Sequence, residues 1–315
     1  MKNYLKLGLF SIVLVFASCS TKDDVVECQV TAPDSFEFIQ EGLNTVSYGG
    51  QTARLNMAAE ILGKLGESTS TDAALLNQMY ADGIGFSDAT LDASGKQLRS
   101  KTAGYQSATV KAAIQAKFDS WLVDYASNVA PAMAANTMAA PGVAGYVGTR
   151  ELNAHGFEID QLFAKGLIGA LCLDQVVNGY LSDGKLGTAN NVTRDVNVDA
   201  NSTIMEHYWD EGFGYIYGLE ADILNPNYDE AIIDPGTSAG SLINKYLGRY
   251  ETWRNEVYSS FVNGRQAIVE NCDAVRDDEA KDIMVALSNL VMQKAEDYLR
   301  DAADDIDLSA NYFHS

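Results

Sequence analysis

The sequence predicts an all-α protein made of antiparallel helical bundles joined by long loops. The chain has 315 residues, and 47% of them are hydrophobic, enough to bury one large core or two moderate ones. Apolar residues recur at intervals of three and four in several long segments, as on one face of a helix. Only five prolines occur, and we find no segment with the alternating pattern of a strand.

The first 18 residues have the features of a bacterial secretory signal. Lys2 and Lys6 precede an apolar run too short to span a bilayer, and small residues then lead to Cys19. The ending FASC resembles a lipobox, which implies cleavage before Cys19 and diacylglycerol on its thiol. The following STKDD resembles the export signal of Bacteroidetes surface lipoproteins. We therefore expect an outer-membrane lipoprotein exposed at the cell surface; an uncleaved signal anchor is the alternative.

The net charge limits the partners that we expect, and the cysteines limit the disulfides that can form. The net charge of −21 would repel nucleic acid, so we expect no nucleic-acid partner. Beyond Cys19 the chain has Cys28, Cys172 and Cys272. One disulfide at most can form among these three, and the sequence leaves its pairing open.

After the signal, residues 19–44 are predicted to be the lipid anchor and a tether, and residues 45–315 a helical domain. A stretch biased toward alanine, glycine, proline and methionine suggests a connection, with a possible subdomain break near 127–148.

Three helices are predicted before that stretch, and one starts directly after it. The first begins near Gln51, the second is TDAALLNQMYA, and the third begins near Val110. The fourth, after the connection, has Thr149 as its N-cap. The segment 82–104 is predicted to be a loop. The helix from Thr149 becomes apolar nearly all round, which is typical of a central, covered helix.

The second half of the domain is predicted to contain three more helices. A polar loop over 182–203 precedes the aromatic-rich TIMEHYWDEGFGYIYGLE. Two long amphipathic patterns follow, over about 237–268 and 273–302.

The first candidate site lies at the start of the apolar helix. On a helix, Glu151, His155 and Glu158 would share one face. An imidazole and carboxylates at this spacing can bind a transition metal together, or a carboxylate can orient the ring. The alternative is a buried histidine held for structural reasons.

A second set, His207, Asp210 and Glu211, repeats this arrangement. If the two faces met in a bundle, they would resemble carboxylate-rich metal sites built from facing helices, and iron, zinc or manganese would suit the ligands. The alternative is simply the charged start of an aromatic-rich helix.

A third candidate is a calcium loop, which is the weaker metal hypothesis. Carbonyl or carboxylate ligands would stand at the spacing of an EF-hand, although Ala200 occupies the position that normally requires glycine. Its residues are Asp195, Asn197, Asp199, Asn201, Thr203 and Glu206. The alternative is an Asx-rich loop that caps the next helix.

Two segments carry a family resemblance. NAHGFEIDQLF resembles the GxHxxE motif of the imelysin-like superfamily through His155 and Glu158, with Asn153 in place of the first glycine. YGGQTARLNMAAEI and MEHYWDEGFGYIYG resemble the lipoprotein family known as domain of unknown function 4856. The resemblance implies two packed helical bundles, a cell-envelope location and a role in iron acquisition.

We therefore expect a surface lipoprotein that binds a metal or an iron-related ligand, anchored through Cys19 and working with an outer-membrane receptor or iron-uptake partner. One alternative is a metal-dependent peptidase with Glu158 or Glu211 as general base. The other is a non-catalytic protein that docks to an outer-membrane partner. The motifs HExxH, GxSxG, Walker A and GxGxxG do not occur, so the sequence favours binding over catalysis.

Overall fold

A computed structural model describes residues 28–192, 202–220 and 242–304 of the chain. Most of these residues are helical, which confirms the predicted all-α class. The helices are α1 (Gly49–Lys64), α2 (Ala73–Ala81), α3 (Ala89–Ala93), α4 (Ala108–Asp124), α5 (Ala130–Ala134), α6 (Ile159–Leu167), α7 (Asp183–Leu186), α8 (Ile204–Tyr217), α9 (Ile243–Leu247), α10 (Glu251–Glu270) and α11 (Asp273–Asp304). Within the described residues, no helix is both long and apolar enough to cross a membrane.

Two short antiparallel hairpins complete the fold. The first pairs β1 (Ile39–Gln40) with β2 (Leu43–Asn44), and the second pairs β3 (Gly145–Val147) with β4 (Arg150–Leu152). The second hairpin lies where we predicted the start of a helix at Thr149, so that prediction is wrong. Gly148, at the turn, has a φ of +58°, a left-handed conformation that favours glycine and breaks a helix.

Several helices continue or end differently from the prediction. Helix α4 runs on through a π-helical turn, Tyr125–Val129, into α5, and Pro131 lies at the start of α5 directly after that turn. After α6, two further π-helical segments, Ile168–Leu173 and Val176–Tyr180, extend the apolar helix. The helix expected over 237–268 is interrupted by a turn between α9 and α10.

Helix α8 lies in the core between α1 and α10. The Trp209 indole is fully buried and donates a hydrogen bond of 2.8 Å to the carbonyl oxygen of Phe261. Gly264 on α10 permits this approach, since a β-carbon there would lie 2.1 Å from Trp209 Cζ2. Close packing of large rings against small residues therefore joins α8 and α10.

The segment before residue 45 takes part in the packing, although we predicted it to be a tether. Phe36 is buried and stacks on Phe213 with ring centroids 3.7 Å apart. Cys28 forms a disulfide with Cys272 in the turn between α10 and α11. Cys172 is buried and unpaired, and burial raises the pKa of its thiol to about 12. The packed fold thus extends back to Cys28.

Candidate functional site

The segment 151–158, which contains His155 and Glu158 and is called the HxxE segment below, does not place its predicted ligands on one helical face. Glu151 lies on β4, His155 in an exposed turn, and Glu158 at the N-cap of α6. Gly156 has a φ of +83°, which interrupts any helix through this segment. The predicted stripe of Glu151, His155 and Glu158 is therefore wrong.

The turn that carries His155 is built by Asn153. Its Oδ1 accepts hydrogen bonds from the backbone N–H groups of His155, at 3.0 Å, and Phe157, at 2.9 Å. Its Nδ2 donates to Asp124 at 2.8 Å. The asparagine that replaces the first glycine of the GxHxxE pattern thus organises an Asx turn and ties it to α4.

The two glutamates of this segment have separate partners. Glu158 is only 4% exposed, and its carboxylate forms an ion pair with Arg150 at 3.1 Å. Glu151 accepts a hydrogen bond of 3.0 Å from the Tyr125 hydroxyl, and burial raises the pKa of Glu151. Both carboxylates serve local structure in this arrangement, while the His155 side chain faces solvent.

Beside this segment lies a cleft formed by two adjoining cavities. One, of about 260 Å³, lies between α1, α6 and α9, and the other, of about 250 Å³, between the π-helical continuation of α6, α9 and α11. They share Lys165, Ile168 and Tyr246 in their walls. Asp160, two residues after Glu158, lines the first cavity, so the HxxE segment leads directly to the cleft.

Three lysines line the cleft: Lys165, Lys245 and Lys294. The Lys165 ammonium donates to Gln161 Oε1 at 2.6 Å and lies 5.3 Å from the centre of the Tyr298 ring. Lys294 lies over the same ring at 4.1 Å. Burial lowers the pKa of Lys165, opposed by Asp160 and Glu158, and burial together with Arg249 lowers the pKa of Lys245.

The second cavity is otherwise mostly apolar. Its walls include Ile168, Ile243, Leu290 and Val291. The hydroxyls of Tyr246 and Tyr298 lie 3.0 Å apart. Burial, and next the hydrogen bond between the Tyr246 and Tyr298 hydroxyls, raise the pKa of Tyr246. An apolar cavity with a few convergent polar groups is the usual form of a small-molecule site.

On α8, two predicted ligands are instead part of a buried ion cluster. Asp210 accepts from Arg265 Nε at 2.8 Å and from the Ser47 backbone N–H at 3.1 Å. Glu206 lies 3.3 Å from Arg265 Nη1. Although Arg265 opposes it, burial raises the pKa of Asp210 to about 6. Asp210 is thus paired with a buried cation, Arg265. We predicted it instead to be a metal ligand on the same helical face as His207.

His207 and Glu211 do face each other on the outside of α8. His207 Nε2 lies 3.8 Å from Glu211 Oε2, and the two side chains are 43% and 21% exposed. Gln51 Nε2 donates to the other carboxylate oxygen of Glu211 at 2.8 Å. This part of the second predicted set remains an accessible imidazole–carboxylate pair.

Most of the predicted calcium loop lies outside the described residues, namely Asp195, Asn197, Asp199 and Asn201, as does Cys19. Its last two members form the capping box of α8. The Thr203 hydroxyl accepts from the Glu206 N–H at 3.1 Å, and Glu206 accepts from the Thr203 N–H at 2.8 Å. Thr203 and Glu206 thus follow the alternative reading, helix capping.

The predicted histidine–carboxylate sets are not brought together as one centre. Across residues 28–192, 202–220 and 242–304, no group of three His, Cys, Asp or Glu side chains is placed to hold a metal ion. Sequence reasoning missed the cleft lysines. A usable signal was present, because Lys165 is a lone charge within LFAKGLIGAL, and such a charge on an otherwise buried helix indicates a polar opening.

Comparison with known proteins gives one match. The family described as "Domain of unknown function (DUF4856)" matches residues 33–315. No curated protein and no solved structure matches the chain.

Proposed function

The chain belongs to the DUF4856 family, and we propose that it is a surface lipoprotein that binds a small anionic, metal-bearing ligand in the lysine-lined cleft. The observation that carries this proposal is the pair of adjoining cavities sharing Lys165, Ile168 and Tyr246. Their separate volumes of about 250 and 260 Å³ together fall within the range of ligand sites.

The charge of the cleft favours an anion. The chain as a whole carries −21, yet three lysines converge on the two cavities. Partial burial of Lys165 and Lys245 lowers the pKa of each, because the ammonium ions lose hydration. A bound anion would restore favourable interactions to these groups. The apolar and tyrosine walls would then accept the ring or hydrocarbon part of the same ligand.

Iron enters the proposal through resemblance to the imelysin-like superfamily. Ferric iron complexed by an aromatic chelator is both anionic and partly apolar. Such a complex matches a cleft lined by lysines and tyrosines, whereas the lysines would repel a bare metal cation. The lipid on Cys19 would hold the protein at the outer surface, where a receptor or iron-uptake partner could exchange the ligand. The Cys28–Cys272 disulfide agrees with an oxidising, extracytoplasmic location.

A second candidate function is direct binding of a transition metal by His207 and Glu211. A tetrahedral ion with ligands at about 2.0–2.2 Å holds two donor atoms roughly 3.3 Å apart. The observed 3.8 Å between His207 Nε2 and Glu211 Oε2 would need only a small side-chain movement. Water or ligand atoms would complete the coordination.

The remaining alternatives have less support. In a peptidase, Glu158 or Glu211 would act as general base, but Glu158 is paired with Arg150 and Glu211 accepts from Gln51. Docking to an outer-membrane partner is favoured by one observation. On α11, Val285, Met292 and Leu299 are 47%, 69% and 68% exposed at seven-residue intervals, as in a helix face awaiting a partner.

The test is calorimetric titration of the full-length protein in detergent with the ferric complex of 2,3-dihydroxybenzoate. The iron-free chelator and a soluble ferric salt serve as separate titrants. Gly169→Leu would occupy the second cavity, where a β-carbon meets no atom within 4 Å. Gly63→Leu is the matched control, because a β-carbon at Gly63, in α1, also meets no atom within 4 Å and Gly63 does not line either cavity.

We expect saturable binding of the ferric complex that Gly169→Leu abolishes and Gly63→Leu preserves. Lys165→Met should weaken it by about tenfold or more. Binding that all of these variants retain would contradict the cleft proposal. Uptake of the ferric salt alone, lost in His207→Ala, would support the second candidate instead, and no binding of any titrant would contradict both.

A further inference from the structure

A concentration of positive charge, separate from the lysines that line the cleft, lies near the N-terminal half of α1. It is formed by Arg54 on α1, Lys96 and Lys101 in the loop after α3, and Lys185 on α7; we call these residues the basic cluster. Arg54 and Lys96 approach each other closely. A β-carbon on Gly50 would lie 3.5 Å from Arg54 Nη1 and 3.8 Å from Lys96 Nζ.

Backbone carbonyls and an aromatic ring, rather than acids, contact two members of the basic cluster, Arg54 and Lys185. Arg54 donates from Nε to the carbonyl of Gln97 and from Nη1 to that of Gly50, each at 3.1 Å. The Lys185 ammonium lies 3.7 Å from the centre of the Tyr208 ring. Among the residues that the structure describes, no carboxylate lies within ion-pair distance of Arg54, Lys101 or Lys185.

The pKa of Lys101 is lowered by burial and by the cations around it. Burial and then the charge of Arg54 lower its pKa, and Lys185 and Lys96 act in the same direction, while Glu211 opposes them. Four like charges in one region are unfavourable without counter-charge. An acidic protein in which four cations lie this close together is suited to bind an anion among them.

Beside the basic cluster are buried polar groups with unused hydrogen-bonding capacity. The Tyr215 side chain is 1% exposed, and its hydroxyl has no hydrogen-bond partner in the described part of the chain. The charges of Arg54 and Glu211 both act on the pKa of this hydroxyl. Gln175 is fully buried, and its Oε1 also lacks a partner there, while its Nε2 donates to the carbonyl of Lys101 at 2.8 Å. Buried polar atoms without partners are rare in a finished fold and often mark a ligand or water site.

From these contacts we propose that Arg54, Lys101 and Lys185 form a binding site for a small oxyanion, the carboxylate or phosphate group of a ligand. Arg54 and the two lysines would supply charge-assisted hydrogen bonds to its oxygens. Tyr105, which is 41% exposed, and Tyr208 would border the rest of the ligand. The site shares no residue with the lysine-lined cleft and stands independently of the function proposed for that cleft.

The experiment is calorimetric titration of the full-length protein in detergent with inorganic phosphate and, separately, with acetate. Lys101→Met and Lys185→Met remove one cation each from the basic cluster. Lys117→Met removes an exposed lysine on α4 as the matched control. Glu211→Gln removes an acid whose charge raises the pKa of Lys101. Arg54→Met removes the third cation of the proposed site. Circular dichroism checks that each variant folds, which matters most for Arg54→Met because Arg54 also donates hydrogen bonds to two backbone carbonyls.

We expect saturable binding that Lys101→Met and Lys185→Met each weaken by about tenfold or more. Lys117→Met should leave the affinity unchanged, and Glu211→Gln should strengthen it. Binding of phosphate alone would identify a phosphate-bearing ligand, and binding of both anions would identify a site that also takes carboxylates. Absence of saturable binding, or binding indifferent to the lysines of the basic cluster, would overturn the proposal.

Discussion

Arg265 Nε donates to Asp210 Oδ1 at 2.8 Å, and both side chains are completely shielded from solvent. The same guanidinium lies 3.3 Å from Glu206 and donates from Nη2 to Thr45 at 3.0 Å. Two buried acids therefore share one buried cation, between α8 and α10. Such a cluster depends on all of its members, because removing one leaves an uncompensated charge.

Replacing Arg265 should severely destabilise the fold. Arg265→Met keeps much of the buried volume but leaves Glu206 and Asp210 without their cation, so we expect a loss of about 3–5 kcal/mol in the free energy of unfolding. Urea denaturation followed by circular dichroism measures it. Arg300→Met is the control, since Arg300 and its partner Glu296 are 71% and 51% exposed, and such surface pairs contribute about 0–1 kcal/mol. Equal effects of the two substitutions would contradict this view.

The ionisation of Asp210 should appear in the pH dependence of stability. Burial raises its pKa to about 6 in the folded protein, so the native state binds a proton that the unfolded state releases. Its contribution to stability is fully present below the unfolded pKa and is lost as pH rises through about 6. The unfolding free energy of wild type minus that of Asp210→Asn should therefore fall between pH 4 and 7. A difference that rises with pH would show that the pairing with Arg265 outweighs burial.

The disulfide should stabilise the domain strongly. Cys28 and Cys272 are 244 residues apart in the chain, and closing so long a loop reduces the entropy of the unfolded state by an amount worth about 5–6 kcal/mol in the chain-entropy view. Dithiothreitol should therefore lower the stability of the wild type but not that of the double variant Cys28→Ser, Cys272→Ser. A reductant that affects both proteins equally, or neither, would refute this assignment.

His155 should matter little for stability, in contrast with its neighbour Asn153. Because His155 is exposed in its turn, His155→Ala should change the unfolding free energy by no more than about 0.5 kcal/mol. Asn153→Ala removes three hydrogen bonds from a buried side chain and should cost about 1–3 kcal/mol. The two variants, compared by urea denaturation, separate these roles. A greater loss in His155→Ala would indicate that its ring has a buried partner.

Local patterns predicted much of the helical framework. Helices α4 and α11 lie in segments where apolar residues recur at intervals of three and four, because this spacing suffices to place one face against a core. The hairpin from 145 to 152 was missed because its strands have only three residues each, too few for an alternating pattern. The HxxE stripe failed for a related reason, since the spacing is meaningful only if the backbone is helical there, and Gly156 takes a φ of +83°.

By itself, the sequence determined the helical class, the acidic surface and the resemblance to its family, because each depends on composition or on neighbours within a few turns. Only the tertiary structure decided that Asp210 meets Arg265, that Glu158 meets Arg150, and that lysines from α6, α9 and α11 line one cleft. The charges of these groups are visible in the sequence. Their chemical roles depend on burial and on partners that are distant in the sequence, such as Thr45, which lies 220 residues from Arg265. Only folding brings such groups into the same low-dielectric surroundings.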